Sequence, residues 1–352
     1  MATLYVTEPG ARIEKEYQRI LVTLEGEVIQ SVPLRSITEV VIIGVGGATT
    51  QALLALLDQN IGLTFLTRTG KLRGRLRPAG IDNLALRLNQ YDSQKNDHLS
   101  LEIAKNIVVG KLLNYKVMAQ RIMKSLQAKQ ERAPMKLLSI ASCEDLSALQ
   151  EALDQLKTTL AKVQTTEDIL SVRGMEGVGS KLYFKIFRSG LRWEGQSLFE
   201  RRQKRPPKDP VNALLSFGYT LLCQSITSAI EIVGLDPQAG FLHNNQYGRP
   251  SLALDLMEEF RPLIVDSIVL RLVNLHMITP KQFETGENGS TCLTRKGLKT
   301  YLNQYHQRIN TLIIHPRYGK KLTYQKCFEV QARLMRSVIE GKDPIYRPMK
   351  WR

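Results

Sequence analysis

The sequence predicts an α+β fold: a small N-terminal β-rich domain followed by a larger, mostly α-helical domain. Three observations predict it. Up to about Pro78 the chain is a succession of short runs rich in β-branched residues, several of them alternating, punctuated by glycine and proline. From Leu99 the apolar residues recur at steps of three and four. The 352 residues, 43% of them hydrophobic, supply enough material for two cores. The boundaries read as 1–78 for the β-rich domain, 79–97 for a linker ending in the polar YDSQKNDH, and 98–352 for the helical domain.

In the first domain TLYVT, ARIEKE, RILVTL, EVIQSV and TEVVIIG read as strands. A helix over roughly Thr49 to Asp58 interrupts them before the strand GLTFLT and the basic, hairpin-like TRTGKLRGRLRP. The Gly44-Val45-Gly46-Gly47 loop lacks the full nucleotide-binding fingerprint and a phosphate-binding lysine, so it reads as a turn.

In the second domain LSLEIAKNIVVGKLLNYKVMAQRIMKSL reads as one long helix carrying Lys105, Lys111, Lys116, Arg121 and Lys124. A seam of Leu146, Leu149, Leu153, Leu156, Leu160 and Val163 indicates helix-pair packing. Glu176 follows among Gly174, Gly177 and Gly179. Glycine inside a helix costs about 1 kcal/mol relative to alanine. The segment therefore reads as a flexible loop with an incidental glutamate, or as a place where a ligand comes close to the backbone.

Arg201, Arg202, Lys204, Arg205 and Lys208 form a basic cluster stiffened by Pro206 and Pro207. Between Asp209 and Glu231 no residue is charged, and the run is long enough to cross a bilayer. Yet Asn212, Ser216, Thr220, Gln224 and Ser228 recur every four residues and draw a polar stripe down it. A buried helix with its stripe turned to a polar site fits better than a membrane span.

The stretch from Phe241 to Asp266 concentrates the chemistry. His243 lies in a turn-rich segment, and Pro250 and Ser251 open a helix, with serine as the expected cap. Asp255 and Glu258, three apart, share a face, and Glu259 is the next rung from Asp255. An imidazole beside carboxylates is a mixed nitrogen and oxygen donor set that suits Mg²⁺ or Mn²⁺. The same spacing is also that of a solvated helix face with a surface histidine. Beyond it come the apolar helix IVDSIVLRLVNL, a hairpin turn at Asn288-Gly289, the amphipathic GLKTYLNQYHQRI, a basic turn HPRYGKKL and a last helix TYQKCFEVQARLMRSVI. The tail IYRPMKWR mixes aromatic and basic groups, as suits stacking and phosphate contact, a partner groove or a frayed end.

The 49 Lys and Arg against 33 Asp and Glu give a net charge of +16, which favours polyanions and above all nucleic acid. An acidic membrane is the weaker choice, since neither end carries a basic amphipathic helix. Cys143, Cys223, Cys292 and Cys327 stand far apart, so neither a zinc framework nor a disulfide scaffold is expected. A cytoplasmic setting follows, and MATLYVTEPGARIEK has no signal-peptide pattern.

Three stretches in this order, GMEG around Glu176, RPPKDPVNALLSFGYTLL, and GFLHNNQYGRPSLALDLMEEFRPLIVD, resemble the CRISPR-associated integrase family Cas one. The resemblance covers essentially the whole chain and implies that the helical domain is catalytic and binds metal and DNA. It places the metal ligands on Glu176, His243 and Glu258, with Asp255 a further acidic position near the metal. It puts Asn212, Ser216 and Tyr219 on the helix lining the site, and gives Arg249 and Arg261 a part in holding DNA. It implies transesterification, a spacer 3′-hydroxyl attacking the CRISPR repeat, with a nuclease side reaction when water replaces the hydroxyl. The partners implied are double-stranded DNA, a second copy of the chain bound through the β domain, and the small protein Cas two. A general-base role for His243 is the rival to ligation. A repair nuclease of branched DNA and a non-catalytic DNA scaffold are the alternative functions.

Overall fold

The computed structural model describes residues 2–79, 83–132, 146–193, 199–203, 206–286 and 289–351. The β-rich part comprises β1 (Ala2–Val6), β2 (Ala11–Glu16), β3 (Arg19–Leu24), β4 (Glu27–Pro33), β5 (Ile37–Ile43), β6 (Gly46–Ala48), α1 (Thr50–Asp58), β7 (Gly62–Leu66) and β8 (Leu72–Leu76). One sheet has the order β1-β5-β7-β8, parallel except for β8, and the other the order β4-β3-β2-β6. The β5 run ITEVVII is apolar without alternation because both of its faces are covered. Val40 and Ile42 enter the core of the β-rich part, while Val41 and Ile43 enter the core of the helical part. The two parts therefore share a sheet. Arg75 on β8 joins them further, donating to Ser228 at 2.5 Å and Glu231 at 3.0 Å.

The expected linker holds a docked helix, α2 (Leu84–Lys95), capped by the Asn83 side chain. Its anchor is polar: the buried Gln90 amide donates to the carbonyls of Asp236 and Ala239. A helix held by an amide rather than an apolar stripe leaves little hydropathy signal. Next come α3 (Asp97–Arg132), α4 (Leu146–Thr165) and α5 (Ile169–Ser189). The seam of α4 is buried at Leu149, Leu153, Leu156 and Val163, as expected.

The segment around Glu176 is helical, which corrects the loop reading. Asp168 caps α5 by accepting from Leu170 and Ser171, and Val172, Tyr183, Ile186 and Phe187 bury one face. Packing on that face outweighs the glycine cost, and Gly179 lets Leu112 of α3 pack directly on the α5 backbone.

The helix α6 (Pro210–Val233) starts on an Asp209 cap and ends at Gly234 in the left-handed conformation. It is long and apolar enough to cross a membrane, but 78% of its apolar window is buried inside the protein, as a core helix would be. The remaining elements are α7 (Ser251–Met257), α8 (Ser267–Asn274), the hairpin β9 (Phe283–Thr285) and β10 (Thr291–Leu293), α9 (Arg295–Ile309), the hairpin β11 (Leu312–Ile314) and β12 (Lys321–Thr323), and α10 (Tyr324–Ile339). Between α7 and α8 Pro262–Asp266 form a π-helical turn. Proline there removes an N–H from the ladder. Asn288 and Cys143 lie outside the described residues; Gly289 adopts φ +68°, as the hairpin turn requires.

Candidate active site

His243 is held by Asp255. The Asp255 carboxylate, fully buried at 0% exposure, accepts the backbone N–H groups of Phe241 at 2.6 Å, Leu242 at 2.9 Å and His243 at 2.9 Å. Its Oδ1 also lies 2.6 Å from the His243 Nδ1. That contact places a proton on Nδ1 and turns Nε2 toward Glu258. Gly240 makes the approach possible: a Cβ there would meet the Ser251 backbone at 2.7 Å and the Asp255 Oδ2 at 2.8 Å. Arg173 braces the same loop, donating from Nε to the Leu242 carbonyl at 2.6 Å. Ser251 does not cap α7; its hydroxyl donates to the Asn244 carbonyl at 2.9 Å, and Pro250 occupies the cap position.

Glu258 lies just beyond α7, its Oε1 3.9 Å from the His243 Nε2. Lys111 of α3 reaches into the space between Glu258 and Glu176, with Nζ 2.7 Å from the Glu258 Oε2 and in close ion-pair contact with Glu176. Ser180 donates to Glu176 from the next turn of α5 at 2.9 Å. Arg261 Nε sits 3.0 Å from the Glu258 Oε2, though the two are not aligned as a hydrogen bond. This is an ion pair without the directionality of a bond.

Electrostatics follow from burial against charge. Burial alone would raise the Glu258 carboxyl, but Arg261, Lys111 and His243 outweigh it and hold it down at about 2. Glu176 is likewise lowered, burial opposing and Lys111 prevailing. For Lys111 burial favours the neutral amine, but Glu258, Tyr115 and Glu176 raise its pKa, so it stays an ammonium.

The expected site residues do not all converge. Glu176 and Glu258 meet at Lys111 with His243 beside Glu258, but among the described residues no three His, Cys, Asp or Glu side chains form a ready metal cage. Asp255 is spent on the His243 loop. Glu259 turns away from the face it was expected to share and is buried elsewhere. The polar stripe of α6 splits in two. Asn212 and Ser216 accept from Arg202 at 2.8 and 3.1 Å, whereas Ser228 binds Glu39 and Arg75 against the β-rich part.

Tyr219, further along the same helix, sits beneath two arginines. Arg261 lies over its ring at 4.5 Å and Arg202 at 5.3 Å. Its hydroxyl donates to Asp266 at 2.6 Å, and Tyr183 donates to the other oxygen at 2.8 Å. Burial pushes the Asp266 carboxyl up to about 6 against these hydroxyls and the two arginines. Arg201 and Lys208 are exposed, Arg249 is tied within the turn to Gln246, and Lys204 and Arg205 lie outside the described residues. Lys111, Ser180, Arg173, Gly240 and Asp266 were not singled out by sequence. Lys111 was legible only as one of five basic residues along a helix.

The chain thus pairs a strand-rich part with a helical domain in which Glu176, Lys111, Glu258 and His243 lie side by side. The chain belongs to the family of the CRISPR associated protein Cas1, whose sequence profile matches residues 4–307. It is 34% identical over 351 residues to the CRISPR-associated endonuclease Cas1 1 of Chlorobaculum tepidum, covering 99% of this chain and 98% of that one. With the CRISPR-associated endonuclease Cas1 3 of Thermus thermophilus it shares 33% over 350 residues, covering 99% and 97%. Among solved structures it resembles a Cas1 protein from Thermotoga maritima at a TM-score of 0.77 and 22% identity, covering 99% of this chain and 100% of that one. A casposase bound to integration product gives a TM-score of 0.79 at 23% identity, covering 99% and 93%. At such identities these structures bear on the fold.

Proposed function

We propose that the protein is a divalent-metal-dependent DNA integrase of CRISPR adaptation, joining spacer 3′-hydroxyl ends to the repeat by transesterification, with hydrolysis as its side reaction. One observation carries this reading: Glu176 and Glu258 converge on a single cationic group, with the Nε2 of His243 facing Glu258. Two acidic groups that share one ammonium are spaced to share one metal ion. The donor set fits Mg²⁺ or Mn²⁺, with Glu176, His243 and Glu258 as the residues that would hold it. When bound, such an ion polarises the scissile phosphate and favours the attacking hydroxylate.

The chain's own residues set the stage for that step. Asp255 keeps the His243 ring oriented with Nε2 turned toward Glu258, and the carboxylates of Glu258 and Glu176 nearby favour ligation over a general-base role. Lys111, released from the carboxylates, and Arg261 place positive charge where a phosphodiester would lie. The exposed Arg201 and Lys208 and the excess of basic residues provide phosphate contacts along double-stranded DNA.

Partners follow the relatives. A Cas6-RT-Cas1–Cas2 complex contains a similar fold at a TM-score of 0.77, which supports Cas2 as the small partner here. The outer strand β4 leaves Val28 and Ile29 exposed, a surface suited to pairing two copies through the β-rich part. Metal dependence is tested by incubating the protein with a short DNA duplex and Mn²⁺. Cleavage should stop with a chelator and in Glu176→Ala. Cleavage that persists in both would refute the ligand assignment.

A further inference from the structure

The segment Tyr346–Trp351 was expected to stack on bases, fill a partner groove or fray. Within it Tyr346 and Met349 are 1% and 3% exposed, so this stretch is packed rather than frayed. Its contacts converge on the residues flanking the active site. Glu259, next to Glu258, accepts through Oε1 from the Tyr346 hydroxyl at 2.9 Å and the Gln331 amide at 3.0 Å, and through Oε2 from the Met349 N–H at 2.7 Å. Asn114, one helical turn beyond Lys111, donates to the Glu259 carbonyl at 2.8 Å and the Met349 carbonyl at 2.9 Å. Its own side-chain oxygen accepts the Trp351 N–H at 2.7 Å. Pro348 packs against Gly110, the neighbour of Lys111, so closely that a Cβ there would overlap its ring. The Trp351 ring is covered by the Arg121 guanidinium at 3.7 Å.

We infer that Tyr346–Trp351 is a positioning strap that fixes α3 against the turn bearing Glu258 and Glu259, and thereby sets the spacing of Lys111, Glu176 and Glu258. The strap touches neither carboxylate of the site. It acts through Glu259 and Asn114, each bound both to the strap and to the other. Buried hydrogen bonds of this kind have one geometry, so loosening one end lets the Glu258 turn shift relative to α3. The inference rests on the metal-site reading of Glu176 and Glu258.

The test uses full-length Trp351→Ala, Tyr346→Phe and Trp351→Phe beside wild type and Glu176→Ala. Calorimetric Mn²⁺ affinity, kcat and KM for DNA cleavage, and Tm are measured, with the kinetics taken well below the lowest Tm. Trp351→Ala and Tyr346→Phe should weaken Mn²⁺ binding about ten-fold and lower kcat while KM for DNA stays unchanged. Trp351→Phe, which keeps a ring under Arg121, should restore both. A fall in Tm with unchanged Mn²⁺ affinity and kcat would reduce the strap to packing and overturn the inference. A rise in KM alone would make it a DNA contact and overturn it equally. If Glu176→Ala binds Mn²⁺ as tightly as wild type, the site reading itself fails and the strap's role with it. If Glu176→Ala loses Mn²⁺ while the strap variants keep it, only the strap fails. Tyr346→Phe, which removes a single hydroxyl, decides the matter should Trp351→Ala not fold.

Discussion

Lys111 shows how a single side chain can hold a site in readiness. Buried at 4% exposure between Glu258 and Glu176, it neutralises charge that would otherwise stand uncompensated in a low-dielectric pocket. Lys111→Met should destabilise the protein by about 3 kcal/mol, because removing one partner strands buried charge. Adding Mn²⁺ should then raise Tm more in the variant than in wild type; an equal rise in both would argue that lysine and metal do not compete for the same place. Asp266 gives a second prediction at this scale. Its carboxyl is raised, so the stability it contributes is fully present below its ordinary value of 3.8 and is lost as pH rises through about 6. Wild-type stability should therefore fall, relative to Asp266→Asn, across that window, as denaturant titrations at a series of pH values would show. Parallel profiles would refute the shift. Sequence spacing grouped Asp255, Glu258 and Glu259 on one face, yet they serve three places: the His243 loop, the shared cation and the strap. The helix ends at Met257, and past that point a helical wheel no longer says where a side chain goes.

At the scale of elements, periodicity was informative where apolar packing decides the outcome and silent where polar anchors do. The long helix α3, the seam of α4 and the core helix α6 were legible for the first reason. By contrast α2 is held by Gln90, and α5 tolerates its glycines because one face is well packed and Asp168 caps its start. The loop from Phe241 to His243 depends on a position that sequence reading passed over. Gly240→Ala would push a methyl group into the Ser251 backbone and the Asp255 carboxylate, which are not flexible chain ends. DNA cleavage should drop at least about ten-fold as His243 loses its orientation, and Tm should fall with it. Retained cleavage would show that the three N–H contacts to Asp255 do not govern the ring.

For the molecule as a whole, the two-part plan was legible from the change of period near residue 80, but the shared sheet was not. The run of apolar residues in β5 hinted at it, since a strand covered on one face would alternate. Docking by Arg75 to Ser228 and Glu231 ties residues more than a hundred positions apart, which no local pattern reveals. Arg75→Met should cost about 2 kcal/mol by chemical denaturation, because it leaves Glu39 buried without its cation. Motifs carried what period could not. GMEG and the His243 stretch, far apart in the chain, bring Glu176 and Glu258 to the same lysine, with His243 beside Glu258.

The central claim, that these three residues hold the metal for joining DNA, is tested most directly by strand transfer. The substrate is a plasmid carrying leader and repeat, offered a short duplex with free 3′ ends, the purified small partner and Mn²⁺ or Mg²⁺. Wild type should join the ends in a metal-dependent reaction that His243→Ala and Glu258→Ala both abolish. Joining that survives in both variants would contradict the assignment.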